Sequence, residues 1–183
     1  MKSLCVFCGA SAGNNPIYKE AATSFASLMT RAGIELIFGG GKVGLMGVLA
    51  DTVLKHGGSV QGVIPEGLMD QEVGHPGLTK LHVVSTMHQR KELMYDLAEG
   101  FVALPGGFGT LDEFFEILTW SQLGLHKKPI GFLNVNGYFN HLLNHFELAV
   151  EEGFVSEKLL QSIIVEDNEE LLLMRLSSNI IRI

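Results

Sequence analysis

The sequence predicts an α/β fold, namely one doubly wound, Rossmann-like domain with a mostly parallel sheet of about seven strands and helices on both faces. Apolar strand-like runs and amphipathic helical runs alternate seven times along the 183 residues without a break in composition. The strand-like runs are apolar without alternation, as in strands covered on both faces. We therefore expect residues 1–183 to form a single domain whose ligands bind at the carboxyl ends of the strands.

Each predicted element has its own local signal. Short apolar runs predict strands at residues 3–8, 34–38, 60–64, 81–84, 101–104, 129–133 and 162–165. Apolar residues at helical spacing predict helices at 16–32, 44–57, 86–99, 110–124, 138–152 and 168–177. Asn15 followed by Pro16 marks the first helix start, and Gly33 and Gly100 mark helix ends. The stretch 65–79 lacks periodicity and is long for a connection, so we expect it to be functional.

Composition and charge restrict the class of function. Hydrophobic residues make up 46% of the chain and charged residues 18%, as in ordinary globular proteins. No apolar run approaches the roughly 18 residues of a membrane helix, and residues 3–7 are too few for a signal peptide. We expect a cytoplasmic protein without a membrane partner. The net charge of −7 argues against nucleic acid as a partner, because binding it requires many contacts from Lys and Arg to phosphates.

Neither the cysteines nor the histidines indicate a cofactor. Cys5 and Cys8 form a Cys-x-x-Cys pattern, but Cys5 lies inside an apolar strand-like run, whereas a redox pair begins at a helix start. No second pair is present to complete a zinc site. His141 and His145 have the i, i+4 spacing of metal-binding helices but lack the zincin glutamate and an evident third ligand. We expect neither a metal nor an organic cofactor.

The glycine-rich turn at residues 104–109 joins a buried strand to an amphipathic helix. Its glycines let the backbone approach a ligand, and the N–H groups and dipole of the following helix turn suit an anion such as phosphate. Glu113 is unusual there because a carboxylate repels phosphate. Two interpretations stay open: a capping box with Thr110, which fits the S/T-x-x-E pattern, or a carboxylate beside a phosphorylated sugar.

A second glycine loop supports an alternative function. Gly39-x-Gly41-x-x-Gly44 fits the dinucleotide-binding pattern, and Glu66 follows about twenty residues later, where a ribose-binding acid belongs. This pattern favours a dinucleotide-dependent oxidoreductase, although the loop follows the second strand instead of the first. A P-loop is excluded because Lys42 is followed by Val43 and not by Ser or Thr.

Arg90 and Lys91 lie near the start of the predicted helix 86–99, at the same edge of the sheet as the glycine turn. Cations at a helix start oppose the helix dipole at a cost of a few tenths of a kcal/mol, which favours a reason for their presence. Two interpretations are open. Arg90 and Lys91 are either exposed to solvent like most cationic side chains, or their guanidinium and ammonium groups are directed at a phosphate or a base.

Three segments together resemble the Lonely Guy (LOG) family of cytokinin riboside 5′-monophosphate phosphoribohydrolases. These segments read Gly-Gly-Gly-Lys-Val-Gly-Leu-Met-Gly at 39–47, Met-His-Gln-Arg-Lys at 87–91 and Pro-Gly-Gly-Phe-Gly-Thr-Leu-Asp-Glu at 105–113. The resemblance extends over nearly the whole chain, from Val6 to Gly124. Family members are often labelled lysine decarboxylases, but the sequence offers no lysine site for pyridoxal phosphate, so we set that label aside.

The resemblance implies hydrolysis of the N-glycosidic bond of an adenine-type nucleoside 5′-monophosphate to free base and ribose 5-phosphate. Arg90 and Glu113 would be the catalytic pair. The implied substrate contacts are Glu72, Arg90, Lys91, Gly106, Gly107, Phe108, Gly109, Thr110, Leu111, Asp112, Glu113 and Thr119. Further nucleotide contacts are expected at Gly9, Ser11, Gly40, Gly41 and Met87. A carboxylate beside the sugar suits an oxocarbenium-like transition state, which favours a catalytic Glu113.

The helix that follows the turn also predicts a homodimer. Its apolar residues nearly encircle it, which indicates a second burial surface beyond the sheet. They are Phe114, Phe115, Ile117, Leu118, Trp120 and Leu123. The resemblance agrees, because the family forms homodimers. Two other functions stay open, the oxidoreductase and a non-catalytic nucleotide-binding module, and the sequence does not distinguish AMP from N6-prenylated AMP as substrate.

Overall fold

A computed structural model describes residues 1–68 and 74–179, which form seven parallel strands and seven α-helices. The strands are β1 (Ser3–Phe7), β2 (Glu35–Phe38), β3 (Val60–Pro65), β4 (Lys80–Val84), β5 (Phe101–Ala103), β6 (Ile130–Leu133) and β7 (Ile163–Glu166). The helices are α1 (Ile17–Arg31), α2 (Gly44–Lys55), α3 (Met87–Leu97), α4 (Phe108–Gln122), α5 (Asn140–Glu151), α6 (Glu157–Ser162) and α7 (Glu169–Ser178). This architecture confirms the predicted doubly wound α/β fold.

The sheet is buried on both faces, which explains the continuous apolar runs of its strands. Helices α1, α2 and α7 pack on one face, and α3, α4 and α5 pack on the other. Successive side chains of β1 enter opposite layers: Leu4 and Val6 belong to the first core, and Cys5 and Phe7 to the second. The period of two that would show in a half-exposed strand is therefore absent from the sequence.

The strand order β4-β3-β2-β1-β5-β6-β7 has its switch point between β1 and β5. The chain proceeds from β1 outward to β4 on one side and then returns to β5 on the other. In such sheets the loops that follow the two central strands diverge and leave a crevice for a ligand. Here the two loops also touch, because the Gly9 N–H donates to the Pro105 carbonyl at 3.1 Å.

Helix α4 begins at Phe108, two residues before the predicted start, and Gly107 in extended backbone is its N-cap. Thr110 therefore lies inside the first helical turn, and Glu113 lies in the second. The capping-box interpretation of Thr110 and Glu113 is wrong, because the S/T-x-x-E pattern is displaced by three positions from the actual helix start.

Other boundaries differ where the chain turns without a strong sequence signal. Helix α5 begins at Asn140 instead of residue 138, because a short 3-10 turn at Val135–Gly137 precedes it. Ala98, and not Gly100, caps α3. The six-residue α6 is too short to give a helical period and was absent from the prediction. In the described part of the chain, no helix is long and apolar enough to cross a membrane.

Candidate active site

The Pro105–Gly107 turn has its carbonyl groups engaged, and Gly107 and the neighbouring Gly109 are open. The Pro105 carbonyl accepts from Gly9 N–H at 3.1 Å, and the Gly107 carbonyl accepts from Leu111 N–H at 3.2 Å. A Cβ atom added at Gly107 or Gly109 would meet no atom within 4 Å. The N–H groups of the first turn of α4 have no acceptor within the helix. This surface therefore offers several donors and the positive end of a helix dipole to an anion.

Thr110 supplies a further polar group at this turn. Its side chain is only 3% exposed, and Oγ1 is buried without a hydrogen-bond partner among the residues that the structure describes. A Cβ at Gly106 would lie 2.1 Å from this oxygen, so residue 106 must be glycine for Thr110 to reach the turn. A buried hydroxyl without a partner costs about 1–3 kcal/mol.

Arg90 is buried beneath the ends of two strands. It is 5% exposed, and its Nε donates to the Val63 carbonyl at 3.1 Å while Nη2 donates to the Gly39 carbonyl at 3.1 Å. Nη1 lies 3.8 Å from the Met87 sulfur. The interpretation of Arg90 as a solvated surface cation is wrong. The carboxyl ends of β2 and β3 fix the guanidinium in place from behind the site.

Glu113 faces this guanidinium. Its Oε1 lies 3.7 Å from Arg90 Nη2, and both side chains are largely shielded from water. A buried ion pair interacts more strongly than a surface pair because solvent screens it less. The structure thus brings together the two residues that the resemblance names as catalytic, one turn of α4 beyond Thr110.

The cysteines lie near this pair as inert core residues. Burial is the main cause that raises the pKa of the Cys5 and Cys8 thiols, and the negative charge of Glu113 raises both further. The thiols therefore stay protonated at neutral pH, which agrees with the interpretation of both as core residues and not as a redox pair.

Lys91 ties α3 to α4. Its Nζ lies 3.2 Å from Asp112 Oδ2 and 3.0 Å from Glu116 Oε2. Burial by itself lowers the pKa of Lys91, but the hydrogen bonds to Glu116 and Asp112 outweigh burial and raise it. Arg90 and Lys91 therefore do not act together as one cationic site, because Arg90 lies inside the protein and Lys91 is paired with carboxylates.

The remaining predicted contact residues lie in several places. Phe108 is 94% exposed beside the turn, Leu111 is half-buried, and Ser11 is exposed after β1. Thr119 lies roughly 14 Å along α4 from Thr110, given 1.5 Å per residue, and its hydroxyl donates to the Phe115 carbonyl. The structure of one chain does not bring Thr119 to the turn. Glu72 lies outside the described residues.

The Gly39–Gly44 loop is filled by the protein itself. The Gly40 carbonyl accepts from His75 N–H at 2.9 Å, and Gly41 pairs with Gly74 in an isolated bridge. A Cβ at Gly39 would lie 2.1 Å from Arg90 Nη2. These contacts account for the glycines without a dinucleotide, so the pattern that favoured an oxidoreductase reflects packing.

Sequence reasoning missed Tyr138 as a site residue. Its hydroxyl donates to the Gly106 carbonyl at 2.6 Å from the loop that follows β6. The sequence offered only the general rule that ligand-binding loops follow the carboxyl ends of strands, which applies to the loop after β6. That the loop after β6 reaches the Pro105–Gly107 turn depends on the strand order, which places β6 beside β5.

Comparison with known proteins shows the family of this chain. The family model described as "Possible lysine decarboxylase" matches residues 46–176. The cytokinin riboside 5′-monophosphate phosphoribohydrolase of Rhodococcoides fascians is 50% identical over 165 residues, which cover 90% of this chain and 83% of that protein. LOG7 of Arabidopsis thaliana, with the same activity in its name, is 45% identical over 175 residues, 96% of this chain and 81% of LOG7. The chain belongs to the LOG family.

Solved structures show the same fold at much lower identity. The Moco carrier protein of Chlamydomonas reinhardtii superposes on the LOG-family chain with a TM-score of 0.75 at 16% identity, covering 100% of this chain and 99% of that one. The molybdenum cofactor binding protein of Rippkaea orientalis gives a TM-score of 0.73 at 20% identity, with 99% and 98% covered. These similarities concern the fold alone.

The decarboxylase label of the family model does not fit the lysine at this site. A lysine that forms a Schiff base needs a neutral amine, which proteins obtain by lowering its pKa. The Lys91 pKa is raised instead, because two carboxylates hold it as an ammonium. Among the described residues, no three His, Cys, Asp or Glu side chains form a group that could hold a metal ion.

Proposed function

We propose that this LOG-family chain hydrolyses the N-glycosidic bond of adenine-type nucleoside 5′-monophosphates, with AMP or an N6-prenylated AMP as substrate. The observation that carries the proposal is the shielded pair of Glu113 and Arg90, 3.7 Å apart, with Glu113 in the second turn of the helix that follows a glycine turn suited to phosphate. The relatives named as phosphoribohydrolases, at 45% and 50% identity, support the same activity.

The phosphate is the anchor of the substrate in this proposal. Gly107, Gly109 and Thr110 offer backbone N–H groups to its oxygens, and the glycines leave room for it to approach the backbone. Anchoring a phosphate at a helix start costs little reorganisation, because the donors already point outward. The binding energy of this non-reacting group would then hold the ribose near Glu113.

Glu113 is the group proposed to act on the sugar. When the bond between C1′ and the base nitrogen breaks, its electron pair leaves with the base and positive charge develops on the ribose ring. A carboxylate held nearby stabilises this charge and accepts a proton from the water whose oxygen bonds to C1′. That proton then passes to the departing base, so that neutral base and ribose 5-phosphate are released and Glu113 is a carboxylate again. Arg90 pairs with the Glu113 carboxylate and orients it, and its own position is fixed by the carbonyls of Gly39 and Val63.

Release of free base tests this proposal directly. Purified protein is incubated with AMP and, in parallel, with N6-prenylated AMP, and the base and ribose 5-phosphate are separated by chromatography. We expect equal amounts of base and sugar phosphate from at least one of the two substrates. Binding of both nucleotides without release of base would instead support a non-catalytic nucleotide-binding module.

We also propose that the chain forms a homodimer through the outward surface of α4. Part of the apolar surface is already covered within the chain, because Phe115 packs on Phe146 at 5.8 Å between ring centres and Trp120 packs on Tyr95 at 5.1 Å. Leu123 stays largely exposed at the end of the helix. Phe115 also stays 38% exposed on the same helix, and several exposed apolar side chains on one surface are typical of interfaces.

Light scattering on dilute protein should give about twice the chain mass of 19.9 kDa. The substitution Leu123→Glu places a charge on the proposed interface and should shift the mass toward that of a monomer. Glu147→Lys on α5 is the control for a change of surface charge. An active wild-type monomer would contradict the dimer.

A further inference from the structure

Tyr138 is built into the edge of the site from the opposite side to Arg90. It follows the 3-10 turn after β6 and is 43% exposed, so it is not a core residue. Its hydroxyl donates to the Gly106 carbonyl at 2.6 Å, across 32 residues of sequence. The chain therefore holds one peptide group of the glycine turn by a side chain from another loop.

The loop that presents Tyr138 has a defined local conformation. Asn136 and Gly137 have left-handed backbones with φ of 53° and 67°, a region that asparagine and glycine adopt more readily than other residues. The Asn134 side chain accepts from Phe139 N–H and donates to Asn140 Oδ1, both at 2.8 Å. These bonds fix the direction in which the chain enters α5.

The ring of Tyr138 is fixed on two sides. The Tyr18 ring contacts it edge-on with centres 5.6 Å apart, and the Phe139 ring does so at 5.0 Å. Tyr18 also fills the space beside Gly13 in the loop after β1. The two ring contacts thus restrict rotation of the Tyr138 side chain and hold its hydroxyl against the Gly106 carbonyl.

Holding the Gly106 carbonyl has a consequence on the other side of the peptide. Because the peptide group is planar and trans, the Gly106 carbonyl and the Gly107 N–H point in opposite directions. A carbonyl fixed toward Tyr138 therefore fixes the Gly107 N–H away from it, and the hydrogen bond polarises this N–H as a donor. A Cβ added at Gly107 would meet no atom within 4 Å, so a ligand can approach this residue closely.

We propose that Tyr138 is a positioning residue for phosphorylated ligands, which holds the Gly106–Gly107 peptide so that the Gly107 N–H donates to a phosphate oxygen. This inference rests on the proposed function and extends it to a residue outside the glycine turn. It differs from a general structural role, because its effect is confined to ligands that carry a phosphate. Adenine, which has none, binds independently of Tyr138.

The test uses Tyr138→Phe, which removes one hydroxyl and keeps the ring contacts. Tyr18→Phe, on the neighbouring ring, is the matched control. Calorimetric titration with ribose 5-phosphate should show affinity weakened about tenfold in Tyr138→Phe, equal to about 1.4 kcal/mol, and unchanged in Tyr18→Phe. With the nucleotide substrate, KM should rise by about the same factor while kcat changes less than twofold. Affinity for adenine should be unchanged in both variants.

The outcomes separate this inference from the proposed function. Unchanged affinity for ribose 5-phosphate in Tyr138→Phe would overturn the role of Tyr138, whether or not wild-type protein releases base. Equal weakening of ribose 5-phosphate and adenine, together with a lower melting temperature, would show a structural role and would also overturn it. Selective weakening of the sugar phosphate supports it even if wild-type protein proves inactive as a hydrolase, in which case only the proposed reaction fails.

Discussion

The two glycine loops of this chain look alike in sequence and differ in what surrounds them. In the Gly39–Gly44 loop, a Cβ at Gly39 would lie 2.1 Å from Arg90 Nη2, and one at Gly44 would lie 2.3 Å from the Ala10 carbonyl carbon. At Gly107 and Gly109, a Cβ would meet nothing within 4 Å. The first loop is filled by the protein, and the second is open.

The comparison teaches that a glycine motif shows where a side chain would not fit, but does not show what occupies the space instead. In the first loop the Arg90 guanidinium occupies the space that a side chain at Gly39 would take. In the second loop the proposed occupant is a phosphate. The two loops meet at one site. The Gly39 carbonyl of the first loop accepts a hydrogen bond from Arg90, and Arg90 faces Glu113 on the helix that follows the second loop.

The largest expected effect comes from Glu113→Gln, which keeps the size of the side chain and removes its charge. If the carboxylate stabilises the oxocarbenium-like sugar, kcat should fall on the order of 10²-fold or more while KM changes little. Steady-state assays of base release measure both constants. Melting temperatures show whether the loss of the pair with Arg90 also destabilises the fold.

Glu116→Gln is the matched control, because Glu116 is also an α4 carboxylate in an ion pair, with Lys91 at 3.0 Å. It should keep kcat within a few-fold. Arg90→Ala should also lose activity, and the double variant with Glu113→Gln should lose less than the product of the two losses if both act on one transition state. Near-normal kcat in Glu113→Gln would refute the catalytic role.

Removal of the substrate phosphate tests the open loop. Adenosine should be hydrolysed at least ~100-fold less efficiently than AMP or its prenylated analogue, a loss of about 2.7 kcal/mol of anchoring. The measurement is kcat/KM for each nucleoside and its 5′-monophosphate. Equal efficiency for nucleoside and nucleotide would show that the glycine turn does not bind phosphate.

A pair of glycine substitutions should separate the two loops with smaller effects. Gly39→Ala forces a methyl group into the Arg90 guanidinium, and overpacking of this kind costs about 1–3 kcal/mol, so its melting temperature should fall by several degrees. Gly109→Ala meets no protein atom and favours the helix by roughly 0.5–1 kcal/mol, so its melting temperature should stay or rise.

The kinetic effects of the two substitutions should differ as well. Gly109→Ala should raise KM for the nucleotide about tenfold, because the added methyl group lies where the phosphate approaches the backbone. Gly39→Ala should lower kcat through the displaced Arg90. Gly109→Ala with normal KM would place the phosphate elsewhere, and a stable, fully active Gly39→Ala would show that the first loop tolerates a side chain.

The sequence by itself determined the fold class and the position of the turn. Strands buried on both faces have continuous apolar runs, and helices that cover them show a 3.6-residue period, so seven strands could be counted before their order was known. The motifs at 39–47, 87–91 and 105–113 sufficed to indicate the LOG family. Each of these signals is local, which is why the sequence contains it.

Only the tertiary structure decided which residues meet. Arg90 and Gly39 are 51 residues apart, and Tyr138 and Gly106 are 32 apart, and both contacts depend on which strands are neighbours. The Thr110-x-x-Glu113 pattern was misleading because the helix begins earlier, at Phe108 with Gly107 as its N-cap, so that Glu113 lies in the second turn and faces Arg90. Helix and strand periods arise from the backbone of one segment, whereas strand order is set by how all segments share one core.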